Sequence, residues 1–153
     1  MTAQLDKIDH AILAELQKDA TLSVDALSDR VALSRNACWR RIKTLESAGI
    51  IRKRVALLDA GKVGCPLSVL VMIRTDHHSD AWRSDFAIAV EALPEITAAY
   101  RMTGDLDYVL KVQLADMAAY DRFYKRLTSR ISVSDISASF VMEDIKDTTA
   151  LPL

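Results

Sequence analysis

Residues Ser23 to Gly49 run SVDALSDRVALSRNACWRRIKTLESAG, and their pattern decides how the N-terminal part of the chain folds. Ser23 and Ser34 each stand where a side-chain oxygen caps the first turn of a helix, and Gly49 stands where a helix stops. Only the short VALS turn separates the two predicted helices. Leu27 and Val31 supply the apolar side of the first. On a helical wheel Cys38, Ile42 and Leu45 supply that of the second, so Asn36, Trp39, Arg40 and Lys43 face the other way. Two capped helices joined by a tight turn, the second rich in arginine, make a helix-turn-helix pattern over about residues 24–43.

Working outward, Leu5, Ile8, Ile12, Leu13 and Leu16 recur at helical spacing behind a capping Asp6, which predicts a preceding helix. After Gly49, Ile50 to Leu58 is β-rich and predicts a strand, like a wing or a bridging strand, carrying Arg52, Lys53 and Arg54. Gly61, Gly64 and Pro66 cluster in DAGKVGCP, taken as a hinge over 61–66 between a 1–60 domain and a 67–153 domain. The second domain alternates strand and helix. Strands are expected over Leu67–Arg74, Ile96–Met102, Tyr108–Leu114 and about Ile136–Ile145. One helix carries Trp82, Phe86 and Leu93, and another carries Met117, Tyr120, Phe123 and Leu127. The order βαββαβ is the ferredoxin-like arrangement, so the fold class is α+β: a winged helix-turn-helix joined to a ferredoxin-like domain. Apolar residues occupy both parities of the strands, which implies that the sheet's open face packs against a second subunit.

Composition narrows the classes of function. The chain has 153 residues, half of them hydrophobic, and a net charge of −1. That charge argues for no polyanionic partner by itself. Its distribution does, because Arg30 to Arg54 holds eight bases against the single acid Glu46. No stretch reaches the roughly 20 apolar residues of a membrane helix, and the N-terminus lacks a secretory pattern, so a cytoplasmic protein without a membrane partner is expected. Cys38 falls on a buried stripe and Cys65 in the hinge. His77 and His78 are adjacent and have no Cys nearby, and Asp105 and Asp107 sit in a hairpin turn, so no metal, cofactor or catalytic constellation is expected.

A basic helix presented by a helix-turn-helix points to double-stranded DNA. Ser34, Arg35, Asn36 and Arg40 lie at or near the start of the recognition helix; Arg suits guanine and Asn suits adenine. Two roles are open for Trp39, contact with thymine methyls or sugar, and cover for the neighbouring helix. Two are open for Arg41 as well, phosphate binding and pairing with Glu46. Lys43, Arg52, Lys53 and Arg54 suit phosphate, the last three serving alternatively as a charged strand edge.

LDKIDHAILAELQKD, LSRNACWRRIKTLESAGII and VALLD, followed by TGDLDYVLKVQLADMAAYDRFY and FVMEDIK, resemble the Lrp/AsnC (feast/famine) transcriptional regulators in order and spacing along nearly the whole chain. The resemblance implies a transcriptional regulator with a sensing domain that pairs through its sheets into dimers, often assembled into tetramers or octamers. It also implies a small effector, an amino acid or a relative of one, between sensing domains of neighbouring dimers. The positions it implicates are Tyr100, Asp107, Met117, Ser139, Phe140 and Val141, with Gly104 and Asp105 beside them. The chain departs near Ser132 and Val133, where relatives carry a longer loop. RTDHHSDAW and the LPL ending are similar to the branch that responds to cysteine and sulfur compounds. The alternative is an architectural DNA-wrapping protein that has no effector.

Overall fold

A computed structural model of the chain describes residues 5–153. They form two compact units, one made of residues 5–56 with 146–153 and the other of residues 57–145. The division falls between Ala56 and Leu57, earlier than the DAGKVGCP hinge read from the sequence. That stretch is a hydrogen-bonded turn of the second unit, closed by the Cys65 N–H donating to the Ala60 carbonyl at 2.8 Å.

The first unit is three helices, α1 (Lys7–Lys18), α2 (Val24–Arg30) and α3 (Arg35–Ser47). Each begins at a side-chain cap: Asp6, Ser23 and Ser34 accept backbone N–H groups that have no partner inside the helix. Asp6 and Asp9 cap reciprocally, each side chain accepting from the other's backbone N–H. The turn between α2 and α3 needs a left-handed residue, and Ala32 supplies it at φ +53°. Gly49, at φ +71°, ends α3; its N–H bonds to Glu46 and that of Ile50 to Leu45, closing the last orphan carbonyls. Ile12, Leu13, Leu27, Cys38, Ile42 and Leu45 form the buried core.

The strand expected over Ile50–Leu58 does not form. Ile50 and Ile51 fold back instead, both donating to the Leu45 carbonyl. The residues after them meet no edge with which to exchange ladder bonds, so Val55, Leu57 and Leu58 stay 59–72% exposed.

The second unit has the order β1 (Leu67–Arg74), α4 (Asp80–Glu91), β2 (Ile96–Arg101), β3 (Tyr108–Leu114), α5 (Met117–Thr128) and β4 (Asp135–Phe140). Its four strands form an antiparallel sheet in the order β2-β3-β1-β4. The last strand ends at Phe140 rather than near Ile145, because its partner β1 begins at Leu67 and offers nothing to pair beyond the Val141 N–H to Ser68 carbonyl bond. Val69, Val71, Ile73, Leu110, Val112 and Leu114 cover one face and are buried with Phe86 of α4, Leu93 just beyond its end, and Phe123 and Leu127 of α5. Both helices therefore lie on that face. The opposite face carries Leu70, Met72, Val109 and Tyr100, which are half-buried or exposed. Among the described residues no helix is long and apolar enough to cross a membrane.

Candidate functional site

Helix α3 presents two unlike faces. Cys38, Ile42 and Leu45 point into the core, and burial in that apolar setting pushes the Cys38 thiol up from its ordinary pKa. Arg35, Asn36, Trp39, Arg40 and Lys43 are exposed. The Ser34 hydroxyl is occupied as the cap, accepting the Ala37 N–H at 3.3 Å. Trp39 is 53% exposed, and it also lines a hollow of about 170 Å³ with Leu16, Leu22 and Ile42.

Tertiary structure redistributes the basic cluster. Arg30 pairs with Glu15 at 2.9 Å and Arg35 with Asp25 at 2.8 Å. Lys43 and Arg54 share Glu46, at 2.7 and 3.5 Å. Arg41 joins neither Glu46 nor the exposed face; its Nη1 lies 2.8 Å from both Asp6 and Asp9 and ties α3 to the first turn of α1. The Asp9 and Asp6 carboxylates raise the pKa of Arg41. In turn the Asp9 backbone N–H, together with Arg41, lowers that of Asp6. Glu46 is lowered chiefly by its hydrogen bond from Lys43. Among the described residues Arg40, Arg52 and Lys53 make no ion pair, and all three are exposed. Glu46 stands within the basic run itself, whereas Glu15, Asp25, Asp6 and Asp9 come from outside it and are not evident as partners from chain order. Asp6-x-x-Asp9, a capping pattern, and the i,i+3 spacing of Lys43 and Glu46 on α3 are the local signals for them.

In the second unit the residues that the resemblance implicates form two groups. Gly104, at φ +103°, Asp105 and Asp107 lie in the β2–β3 turn, and Tyr100 lies close by on β2. One oxygen of Asp107 accepts the Thr75 N–H at 2.9 Å, and the Asp105 carbonyl accepts Arg74 Nε at 2.8 Å, so the turn is fastened to the end of β1. Met117, Ser139, Phe140 and Val141 gather at the other end of the sheet. There Leu67 pairs with Leu114, and Phe140 meets Tyr120 edge-on at 5.2 Å. Asp107 bonds at the level of Ile73 and Val141 at that of Ser68, five residues or about 17 Å of strand apart, whereas Tyr100 and Ser139, level with Met72 and Leu70, are kept apart by the width of the sheet. Tyr100 and Ser139 also sit on opposite edge strands. A single chain does not bring the two groups together. Thr75, Arg74 and Tyr120 hold these groups in place and carry no motif of their own in the sequence.

Comparison with known proteins bears on both units. Residues 5–52 match a winged helix-turn-helix DNA-binding domain, and residues 68–151 match the Lrp/AsnC ligand binding domain. The chain belongs to the Lrp/AsnC family. This family member is a DNA-binding transcriptional regulator with a ligand-binding domain. It is 49% identical to the Escherichia coli DNA-binding transcriptional activator DecR, the match covering 97% of this chain and 99% of that one. It is 48% identical to the glutamate uptake regulatory protein of Zymomonas mobilis, covering 100% of this chain and 93% of that one. It also superimposes on a Neisseria meningitidis transcriptional regulator solved as its L-methionine complex, with a TM-score of 0.92, 41% identity and 97% of each chain covered.

Proposed function

We propose that this Lrp/AsnC regulator binds specific DNA sequences in the cytoplasm as an oligomer. Its assembly or DNA binding responds to an amino acid held between sensing units of different protomers. The observation that carries the reading is the split of the implicated effector residues between two ends of one sheet. Residues that cannot reach one small ligand within a chain can do so when a second protomer supplies the missing group. The Neisseria relative's L-methionine complex supports an amino acid as the ligand class; the RTDHHSDAW segment of the sequence suggests cysteine as one member to test. Asp107 has one oxygen engaged by Thr75, which leaves the other for an ammonium group. Apolar Leu70, Met72 and Val109 on the open face suit pairing with a second copy.

On DNA, α3 enters the major groove. Asn36 and the unpaired Arg40 read base edges and the unpaired Arg52 and Lys53 meet phosphate, while Arg35 at the bases and Lys43 and Arg54 at phosphate join them by exchanging their exposed carboxylate partners for DNA. Ser34 and Trp39 shape the N-terminal end of the contact. Arg41 acts from behind, by fixing α3 on α1. A symmetric pair of protomers requires half-sites about one helical turn apart, or a multiple of it. A gel-shift titration on the DNA upstream of the protein's own gene, with L-cysteine, L-methionine and other amino acids in turn, tests this reading. Sequence-specific retention that an amino acid alters is expected. Asp107→Asn should blunt that response and leave effector-free binding intact; equal loss of both overturns the assignment. Retention indifferent to every amino acid and to competitor sequence would mean an architectural DNA-wrapping protein instead.

A further inference from the structure

The hollow beside the exposed face of α3, about 170 Å³ in volume, lies wholly within the helical unit. Buried Leu27 and Ile42 and half-buried Leu22 and Val24 make it apolar, and Trp39 lines it from the exposed face of α3. Three charged residues line it as well, Lys43, Glu46 and Arg54. The Glu46 carboxylate, 32% exposed, holds Lys43 at 2.7 Å and Arg54 at 3.5 Å. The second contact is long, so Arg54 is loosely held.

Each part of this lining selects a part of a ligand. Water against leucine, isoleucine and valine finds few hydrogen-bond partners, so an apolar group displaces it with a gain. An apolar cavity of roughly this size takes a group about as large as benzene, which admits a branched aliphatic chain and excludes a helix or strand of another protein. Lys43 and Arg54 suit a carboxylate, and Glu46 suits an ammonium group. We infer that the hollow is a small-molecule site within the DNA-binding unit for a short aliphatic chain ending in a carboxylate, as in an aliphatic amino acid or its 2-oxo acid. An amino acid completes the exchange, because its carboxylate replaces Glu46 at Lys43 and Arg54 while its ammonium group takes Glu46.

The site acts on DNA through the same two cations. Lys43 and Arg54 meet phosphate in the DNA reading above, so a bound carboxylate competes with phosphate for them. Occupied, each protomer loses two phosphate contacts, which flattens its salt slope by about 1.8 and weakens retention at about 50 mM salt about tenfold. This consequence rests on that reading, whereas binding in the hollow does not.

Hydrogen exchange of the full wild-type chain without DNA tests the binding. L-Leucine should slow exchange in peptides covering residues 22–28 and 39–46, with half-saturation near about 1 mM, as suits a ligand of about nine non-hydrogen atoms. 4-Methyl-2-oxopentanoate, the same skeleton without the ammonium group, should need about fivefold more, and 3-methylbutylamine, without the carboxylate, should have no effect. Val24→Phe fills the hollow and should abolish the protection; Leu22→Phe fills it from a neighbouring position if Val24→Phe lowers the melting temperature. Glu46→Gln should bring L-leucine and the oxo acid level, and Asp107→Asn, in the other unit, should change none of this. No protection at about 20 mM L-leucine, a near-saturating dose, overturns the proposal. Protection that survives both filling variants, or that Asp107→Asn removes, does so too. Protection that follows protein concentration instead of ligand also overturns it, and would mean that a second copy covers the hollow. In gel shifts L-leucine should flatten the salt slope of the Asp107→Asn protein and leave that of Val24→Phe unchanged. Protection of the hollow with an unchanged slope in Asp107→Asn upholds the site and refutes the phosphate contacts of Lys43 and Arg54.

Discussion

Replacing Lys53 and Arg41 separately should produce opposite signatures, although both lie in the same run of bases. Of the eight bases from Arg30 to Arg54, five end at carboxylates of their own unit, and Arg40, Arg52 and Lys53 remain available. A cation that meets a phosphate displaces condensed counterion, and each such contact contributes about 0.9 to the slope of log affinity against log salt. Lys53→Ala should therefore flatten the slope by about 0.9 per bound protomer, or about 1.8 for a pair. Between about 50 and 200 mM salt each contact accounts for a factor of about 3.5 in affinity, so a pair lacking both loses about 12-fold less over that range. Arg41→Ala should leave the slope unchanged. It should lower the melting temperature of the helical unit instead, since Asp6 and Asp9 lose their shared partner. Gel shifts at four salt concentrations, paired with thermal melts, measure both quantities. A slope reduced as much by Arg41→Ala as by Lys53→Ala would refute the division of the cluster into internal ties and free cations.

Three further outcomes follow from the packing and the titrating groups. The Asp6, Glu15 and Glu46 carboxyls sit below their ordinary pKa values because they accept hydrogen bonds, chiefly from the Asp9 N–H, Lys18 and Lys43. Lowered folded-state values stabilise the fold at higher pH, so helical-unit stability should be flat near neutrality and decline once the pH falls below the ordinary Glu value of 4.5, as circular dichroism would show. Ala32→Gly relieves a left-handed residue, and after glycine's greater unfolded-state freedom is subtracted it should stabilise the unit by about 0.5 kcal/mol in urea titration. Phe123 is fully buried in the sheet unit, and Phe123→Ala should destabilise that unit by about 3–5 kcal/mol while the exchange protection of α1 to α3, which have their own core, persists.

Local chemistry in the sequence was enough for the elements and their order. Ser23, Ser34 and Gly49 marked helix ends because a cap is a contact between residues a few positions apart, and the period of the apolar residues assigned Cys38, Ile42 and Leu45 to the core. The same reasoning failed at Ile50–Leu58, because β-rich composition makes a strand only where another edge is within reach, and no periodicity reports that. The basic run showed the same limit. Its bases are adjacent in sequence, whereas the acids that pair with Arg30, Arg35 and Arg41 come from α1 and α2, so the chain order overstated the free positive charge. Tyr100 and Asp107 were legible through a family resemblance, but their separation from Ser139 and Phe140 followed only from strand order and register. Short-range patterns therefore determined the helices, the strands and the face of α3 turned to solvent. Pairing across the fold determined which cations stay free and where β4 stops, because those contacts join residues distant in the chain and no local periodicity encodes them.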